Sequence, residues 1–221
     1  MFFEREEEVL KTLDKIKKFD FVLIGGYAIN AFTQPRFSVD CDLVTKKAEA
    51  KKLKEALIKE GYKQEESGKF LRLSKKINNL KVGFDIMMDQ VLDRRTNIAF
   101  KAEWIFENSK KRTFIGKTIP MKIKVRVANP EVLFIMKLVS GRKADYRDVF
   151  MLAGLNLDLN FIKKELNNLN TNLKEQREEL EDFINSKNFK DSLQGVFGKV
   201  NEIAIKKNIK KLSFLKKLPY R

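Results

Sequence analysis

Phe19-Asp20-Phe21-Val22-Leu23-Ile24-Gly25-Gly26-Tyr27-Ala28-Ile29-Asn30-Ala31-Phe32 is followed, after Thr33-Gln34, by Pro35-Arg36-Phe37-Ser38-Val39-Asp40-Cys41-Asp42-Leu43-Val44. The apolar run Phe19 to Ile24 reads as a short buried strand, and the glycine pair ends it in a turn. Residues 27–32 have room for a short helix, which Pro35 closes because its ring and missing N–H oppose continuation. Ser38 to Val44 then alternates as a strand does. Val39, Cys41 and Leu43 share one face, and Asp40 and Asp42 share the other. Strand, glycine turn, short helix and acidic strand together predict an α/β core with a functional edge.

Working outward, residues 4–18 place Val9, Leu10, Leu13 and Ile16 at helical spacing among charges. Residues 46–61 read as a second amphipathic helix stopped by Gly61. Phe70 to Leu73 and Leu80 to Met87 read as strands, with Asn78-Asn79 as a turn that would join them in a hairpin. In the second of these, Leu80, Val82, Phe84 and Ile86 form an apolar face from which Asp85 projects oppositely. Met121 to Val127 alternates again. After Asn129-Pro130 the pattern is helical, with breaks near Gly154, Asn170 and Ser186 to Asn188, and no repeat of fixed period is present. The expected class is α+β: a mixed β-sheet flanked by helices in a domain over residues 1–128, then an α-helical bundle over 129–221.

Composition removes several chemistries. The 221 residues include no histidine and one cysteine, Cys41. That rules out an intrachain disulfide, a His/Cys zinc site and Ser-His or Cys-His catalysis within the chain. What remains is Asp, Glu, Lys and Tyr, and such oxygen donors suit a hard cation such as Mg²⁺. A formal charge of +16, from 46 basic and 30 acidic residues, attracts polyanions; solvated lysines on helix faces account for it equally well. The N-terminal stretch lacks the apolar core of a secretion signal, and no apolar run approaches the roughly 20 residues of a membrane span. The expectation is a soluble, cytoplasmic protein without a membrane partner.

Two carboxylates on one strand face repel unless a cation neutralises them, so Asp40 and Asp42 suggest a bound divalent metal. If the Asp85 strand lies alongside, three carboxylates converge, the ligand set for one or two metal ions in phosphoryl-type transfer. Asp89 competes for the third place from the strand's end. Each feature also has a plain reading. Gly25-Gly26 could be only a turn, and Lys137, on the apolar stretch Leu133 to Val139, could snorkel to solvent. Arg36 could brace its loop, and Arg142, Asp145 and Asp148 could form an ordinary ion-pair cluster. The basic tail from Lys199 could guide a nucleic acid by its phosphates, but its interleaved Ile203, Ile205, Ile209, Leu212 and Phe214 favour packing.

Taken together, Gly25-Gly26, thirteen intervening residues, Asp40-Cys41-Asp42-Leu43 and a later strand aspartate resemble the DNA polymerase β-like nucleotidyltransferase superfamily. The G-G-x-A stretch followed by Arg36-Phe37-Ser38-Val39-Asp40-Cys41-Asp42 looks closer still to the AbiEii-like branch. That branch holds toxins of type IV toxin–antitoxin systems and the related MenT toxins. Pro130 to Lys137 is similar to the branch's lysine-bearing helix, and Gly141 to Asp148 to its R-x(3)-D-x-x-D segment. Position 27 is Tyr where many superfamily members have Ser or Thr, and Cys41 stands where an aliphatic residue is commoner.

The resemblance implies an NTP with its triphosphate over Gly25-Gly26, and Mg²⁺, with Mn²⁺ as substitute, held by Asp40, Asp42 and Asp85. It implies Lys137 as an active-site lysine and Tyr27, Arg36, Ser38, Arg142 and Asp148 as further nucleotide contacts. The implied reaction moves NMP to an acceptor hydroxyl. The charge and the branch lean towards RNA, tRNA in particular, with an antitoxin protein as partner. A non-catalytic nucleic-acid or partner-binding fold and adenylylation of a protein or small molecule are the alternatives.

Overall fold

A computed structural model describes residues 2–66, 68, 70–169 and 171–217. The break expected near Asn170, the side chain of Lys217 and Arg221 lie outside the described residues. The chain divides into two compact units, Met1–Val91 with Phe100–Asn129, and Leu92–Ala99 with Pro130–Arg221.

The first unit opens with α1 (Phe2–Ile16), β1 (Val22–Ile24), α2 (Gly25–Ile29), β2 (Asp40–Thr45) and α3 (Lys47–Lys59). Then come β3 (Lys63–Glu65), β4 (Leu71–Ile77), β5 (Leu80–Met88) and the short strands β6 (Gln90–Leu92) and β7 (Ala99–Lys101). It closes with α4 (Ala102–Glu107), β8 (Ser109–Ile115) and β9 (Lys122–Ala128). Seven strands form one mixed sheet in the order β3-β4-β5-β2-β1-β9-β8, and β6 and β7 make a separate ribbon. β2 runs parallel to β5 and β1 parallel to β9; the other neighbours are antiparallel.

Register sorts the side chains between two faces, because paired residues point the same way. Leu23, Leu43, Phe84, Leu73 and Val127 fall on one face, and all are fully buried. α1 and α3 pack there, α1 through Val9, Leu10, Leu13 and Ile16, each at most 1% exposed. Burial of each such side chain contributes about 1.5–3 kcal/mol relative to exposure, which makes this face the anchor of the unit. Asp40, Asp42, Asp85 and Arg72 lie on the opposite face.

The amphipathic helices, the Asn78-Asn79 hairpin and the Asp40/Asp42 alternation form as the sequence suggests. Several features differ. α2 begins at Gly25 and stops at Ile29, well short of Pro35. Its terminator is Asn30, whose side-chain amide donates to the Arg36 carbonyl and accepts from the Arg36 N–H, both at 3.0 Å. β8, with Lys110-Lys111-Arg112 at its centre, carried no strand signal; it is an edge strand whose exposed polar residues hide the pleat. β3 and α4 were also silent, being short or polar.

Glu6 on α1 is 1% exposed. Its carboxylate accepts the N–H groups of Lys117, Thr118 and Ile119 and the Thr118 hydroxyl, pinning the β8–β9 turn to α1.

The second unit is helical: α5 (Pro130–Ser140), α6 (Lys143–Ala153), α7 (Leu159–Asn168), α8 (Lys174–Asn185), α9 (Phe189–Phe197), α10 (Glu202–Leu212) and a 3-10 turn over Ser213–Lys217. Pro130 sits where a helix has no N–H to lose. α5 is apolar nearly all round and touches α6, α7 and α8, as a central helix must. Asp158 caps α7 through the N–H groups of Asn160 and Phe161. Leu92–Ala99 is held in this unit by Arg95, which donates to the Gly141 carbonyl at 2.7 Å and pairs with Glu179.

The basic tail is partly structural. Lys211 donates to the Gly154 and Leu155 carbonyls at the end of α6, and Lys216 pairs with Glu181. Leu212 and Phe214 are buried as expected, whereas Ile203, expected to pack, is 77% exposed. It falls in the first turn of α10, beside the Asn201 cap and off the buried stripe of Asn208 and Leu212. No helix among the described residues is long and apolar enough to cross a membrane.

Candidate active site

The carboxylates are set by strand pairing. Asp42 on β2 lies opposite Asp85 on β5, and Asp40 lies opposite Gly83. Ile24, the last residue of β1, pairs with Asp42, so the glycine turn begins where that carboxylate stands.

Glycine is required here for space. A Cβ on Gly25 would lie 1.9 Å from Asp42 Oδ2, and Gly25 also has φ +65°, which side chains rarely adopt. A Cβ on Gly26 would meet Ser38 Oγ at 2.3 Å and Arg36 Nη1 at 3.1 Å. A Cβ on Gly83 would meet Asp40 Oδ1 at 2.6 Å. Asp42, Ser38, Arg36 and Asp40 therefore lean over bare backbone, as in sites where phosphates approach closely. Gly25→Ala is expected to lower nucleotidyl transfer at least tenfold and stability by about 1–3 kcal/mol, from the forced φ and displaced carboxylate. Thermal melts beside a transfer assay check this, and a variant with wild-type activity would contradict it.

Arg72, on β4 directly opposite Asp85, was not singled out from sequence. Its Nε donates to Asp85 Oδ1 at 2.7 Å and its Nη2 to Asp85 Oδ2 at 2.6 Å; the same Nη2 reaches Asp40 Oδ2 at 3.4 Å. A two-pronged guanidinium thus neutralises a carboxylate only 7% exposed. The signal for it was present. The two-residue Asn78-Asn79 turn sets Ile77 opposite Leu80, and counting back from that pair brings Arg72 to Asp85. Gly83 was likewise legible only once the β2–β5 register was known.

Electrostatics follow from this packing. Burial pushes the Asp40 carboxyl above its ordinary value, Asp85 adds repulsion in the same direction, and Arg72 opposes both. The hydrogen bonds it donates to Asp85 push Arg72 further up, so its charge is permanent. Burial, then Asp42, Asp85 and Asp40, push the Cys41 thiol well up and leave it an inert packing group. Asp89, the competing carboxylate, accepts the Lys47 N–H at 2.8 Å and so caps α3.

Among the described residues no three His, Cys, Asp or Glu side chains stand ready to hold a metal ion. Arg72 explains why Asp85 is not free to join such a set. The donors nevertheless fit a hard cation: Asp40 and Asp42 offer carboxylate oxygens from one face of the sheet.

The remaining expected residues fall as follows. Tyr27 is 1% exposed; its hydroxyl points to the Ser38 carbonyl at 3.4 Å and burial raises its pKa, so its ring belongs to the core. Arg36 donates to the Phe37 carbonyl at 2.9 Å and Ser38 to the Asp40 carbonyl at 3.2 Å. In the second unit, Lys137 on α5 meets Asp145 at 2.5 Å and Asp148 at 3.1 Å on α6, and Arg142 meets Asp145 at 2.7 Å. Burial alone would raise the Asp145 carboxyl, but Lys137 and Arg142 overcome it and hold it below its ordinary value.

A family model described as "Nucleotidyl transferase AbiEii toxin, Type IV TA system" matches residues 9–212. The chain belongs to the AbiEii nucleotidyltransferase family. NMP transfer from an NTP is its reaction class, a divalent metal is the family's general requirement, and an antitoxin is the family's class of partner. No curated protein matches the chain. Among solved structures, the lincomycin-bound lincosamide adenylyltransferase LnuA is 20% identical with a TM-score of 0.45, covering 66% of this chain and 95% of that one. The antibiotic-resistance factor ANT(2'')-Ia is 14% identical with a TM-score of 0.48, covering 69% and 84%. For an AbiEii-type nucleotidyltransferase the Gly-Gly turn, the D-x-D strand and the lysine helix all fall inside the matched span.

Proposed function

We propose that this chain transfers NMP from an NTP to a hydroxyl of an RNA acceptor, tRNA in particular, as the toxin of a toxin–antitoxin pair. Mg²⁺, or Mn²⁺ in its place, would be held by Asp40, Asp42 and Asp85. The observation that carries the reading is the register that sets Asp42 opposite Asp85, with Asp40 two residues away on the same face.

The acceptor hydroxyl oxygen forms a bond to the α-phosphorus and gives its proton to water, the bond from that phosphorus to the bridging oxygen breaks, and pyrophosphate leaves with that bond's electron pair. A metal bound there would supply charge neutralisation at the phosphates. The chain's own residues position the reactants. The Gly25-Gly26 backbone admits the triphosphate close to Asp42, and Arg36 and Ser38, leaning over Gly26, hold its oxygens.

Arg72 gives the proposal a test at the level of binding. Arg72→Gln removes a cation that competes with the metal, so Mn²⁺ affinity should rise about tenfold, the equivalent of about 1.4 kcal/mol. The same change leaves buried Asp85 without its partner and should cost about 1–3 kcal/mol of stability without metal. Mn²⁺ titration followed by electron paramagnetic resonance, with melts alongside, reads both. Unchanged or weaker Mn²⁺ binding would sink the idea that Arg72 stands in the metal's place.

The acceptor is identified by mass spectrometry of tRNA, total RNA and total protein after incubation with each NTP. An added nucleotide on RNA is the expected result. Addition to protein alone, or to no polymer, would count against the RNA assignment.

A further inference from the structure

Residues 109–128 contain seven Lys or Arg and no Asp or Glu. They form the antiparallel pair β8–β9 at the sheet's edge. Register puts Lys111 opposite Arg126, Thr113 opposite Lys124 and Ile115 opposite Lys122. These six share one face, because Val125 and Val127 alternate to the buried one. Lys111, Lys122 and Lys124 are exposed, and Lys110, Lys111, Lys122 and Lys124 make no salt bridge among the described residues.

That face is also the carboxylate face. Leu23 on β1 pairs with Leu43 on β2 and with Val127 on β9, so Arg126, Lys124 and Lys122 point to the same side as Asp42 and Asp40. β9 is two strands from β2 and β8 three, a separation of roughly 10 and 14 Å.

Like charges directly opposite each other destabilise a strand pair, so the Lys111–Arg126 pairing works against the fold. Only Arg126 has local compensation, a hydrogen bond to Ser109 Oγ at 3.4 Å and a place over the Phe106 ring. A row of exposed, unneutralised cations on the reacting side of the sheet, costly to the fold, is explained by a polyanionic occupant.

We infer that the exposed β8–β9 face is the docking surface for the sugar-phosphate backbone of the RNA acceptor. The inference rests on the proposed transfer to RNA and adds where that RNA lies. Lys111, Lys122 and Lys124 contact phosphates and the strand's end extends across β1 to the carboxylates. Phosphate contacts of this kind position a strand without reading its sequence. Thr113, the one hydroxyl among the cations, is the group that meets the ribose.

The test is fluorescence-anisotropy binding of a labelled single-stranded RNA, without NTP, across a salt series. The combined variant Lys111→Ala/Lys122→Ala/Lys124→Ala is expected to bind about tenfold or more weakly at low salt. The slope of log K against log[salt] should shrink by about 2, at roughly 0.7 for each phosphate of a single strand that is no longer neutralised. Its melting temperature should equal or exceed that of the wild type because repulsion is relieved; a purely structural role would lower it. Lys206→Ala/Lys207→Ala, exposed charges on α10, should leave RNA affinity within about twofold.

Equal loss in both variants would overturn the inference, since net charge alone would then suffice. So would competition by DNA of the same sequence, or by polyglutamate, at lower concentration than by unlabelled RNA. Weakened RNA binding in the triple-lysine variant of a chain that transfers nothing would leave the surface standing and end the transfer reading. Transfer to RNA with unchanged RNA affinity in that variant would do the reverse.

Discussion

Asp40→Asn combined with Asp42→Asn should lower NMP transfer about 10³-fold or more while the fold is retained. Asparagine keeps the shape and one acceptor oxygen but removes both charges. Metal and developing phosphate charge then lose an interaction of several kcal/mol, and each 1.36 kcal/mol is a factor of ten in rate. The fold should survive because both side chains are only partly buried and Arg72 retains its main partner, Asp85. Removing Asp40 also removes a carboxyl that burial and Asp85 had already pushed above its ordinary value, so the metal-free melting temperature should not fall. Transfer of labelled NMP, read beside circular dichroism and melting, checks this. A double variant within tenfold of wild type would show that the chemistry lies elsewhere.

Lys137→Met should cost about 3–5 kcal/mol, the penalty for leaving buried charges without their partner. Asp145 is 1% exposed and Asp148 fully buried, and Lys137 contacts both. Arg142 still pairs with Asp145. Domains are stable by only about 5–15 kcal/mol, so the loss should be plain in urea unfolding at neutral pH.

The pH dependence has a definite sign. In the wild type the folded-state carboxyl of Asp145 lies below its ordinary value of 3.8. Its contribution is complete above that value and is lost as pH falls through the lower folded value. In the variant, burial without the lysine favours the protonated acid, so the deficit should narrow as pH falls. A loss under about 1 kcal/mol would mean that the lysine does not hold these charges in the folded protein.

How legible the site was depended on what each residue's neighbours were. Asp40 and Asp42 stood out because strand alternation put them on one face, and the apolar alternation around Asp85 marked that carboxylate, but that the two strands are neighbours is a fact of the fold. Gly25 and Gly26 were visible as glycines, but that their missing Cβ atoms make room for Asp42 and Ser38 is a property of pairing between strands. Arg72 was overlooked because one arginine in a charged strand looks like any other until the hairpin register is counted. β8 was overlooked for a related reason. Its charge reads as a solvated segment, yet edge strands tolerate exposed charge, and Phe114 alone turns inward near its end. Lys137 was noticed as a cation on an apolar helix, and its partners Asp145 and Asp148 were both in view as a pair on one helix face. What sequence could not supply was their depth of burial, which turns an ordinary ion-pair cluster into one whose loss should be severe.

The measurement closest to the central claim is transfer of α-labelled NMP to tRNA from each of the four NTPs, with Mg²⁺ and with the metal chelated. The account predicts label on RNA from at least one NTP, equimolar pyrophosphate release, and loss of both on chelation. Label that persists after chelation, or none on RNA from any NTP in a folded, Mn²⁺-binding protein, would contradict it.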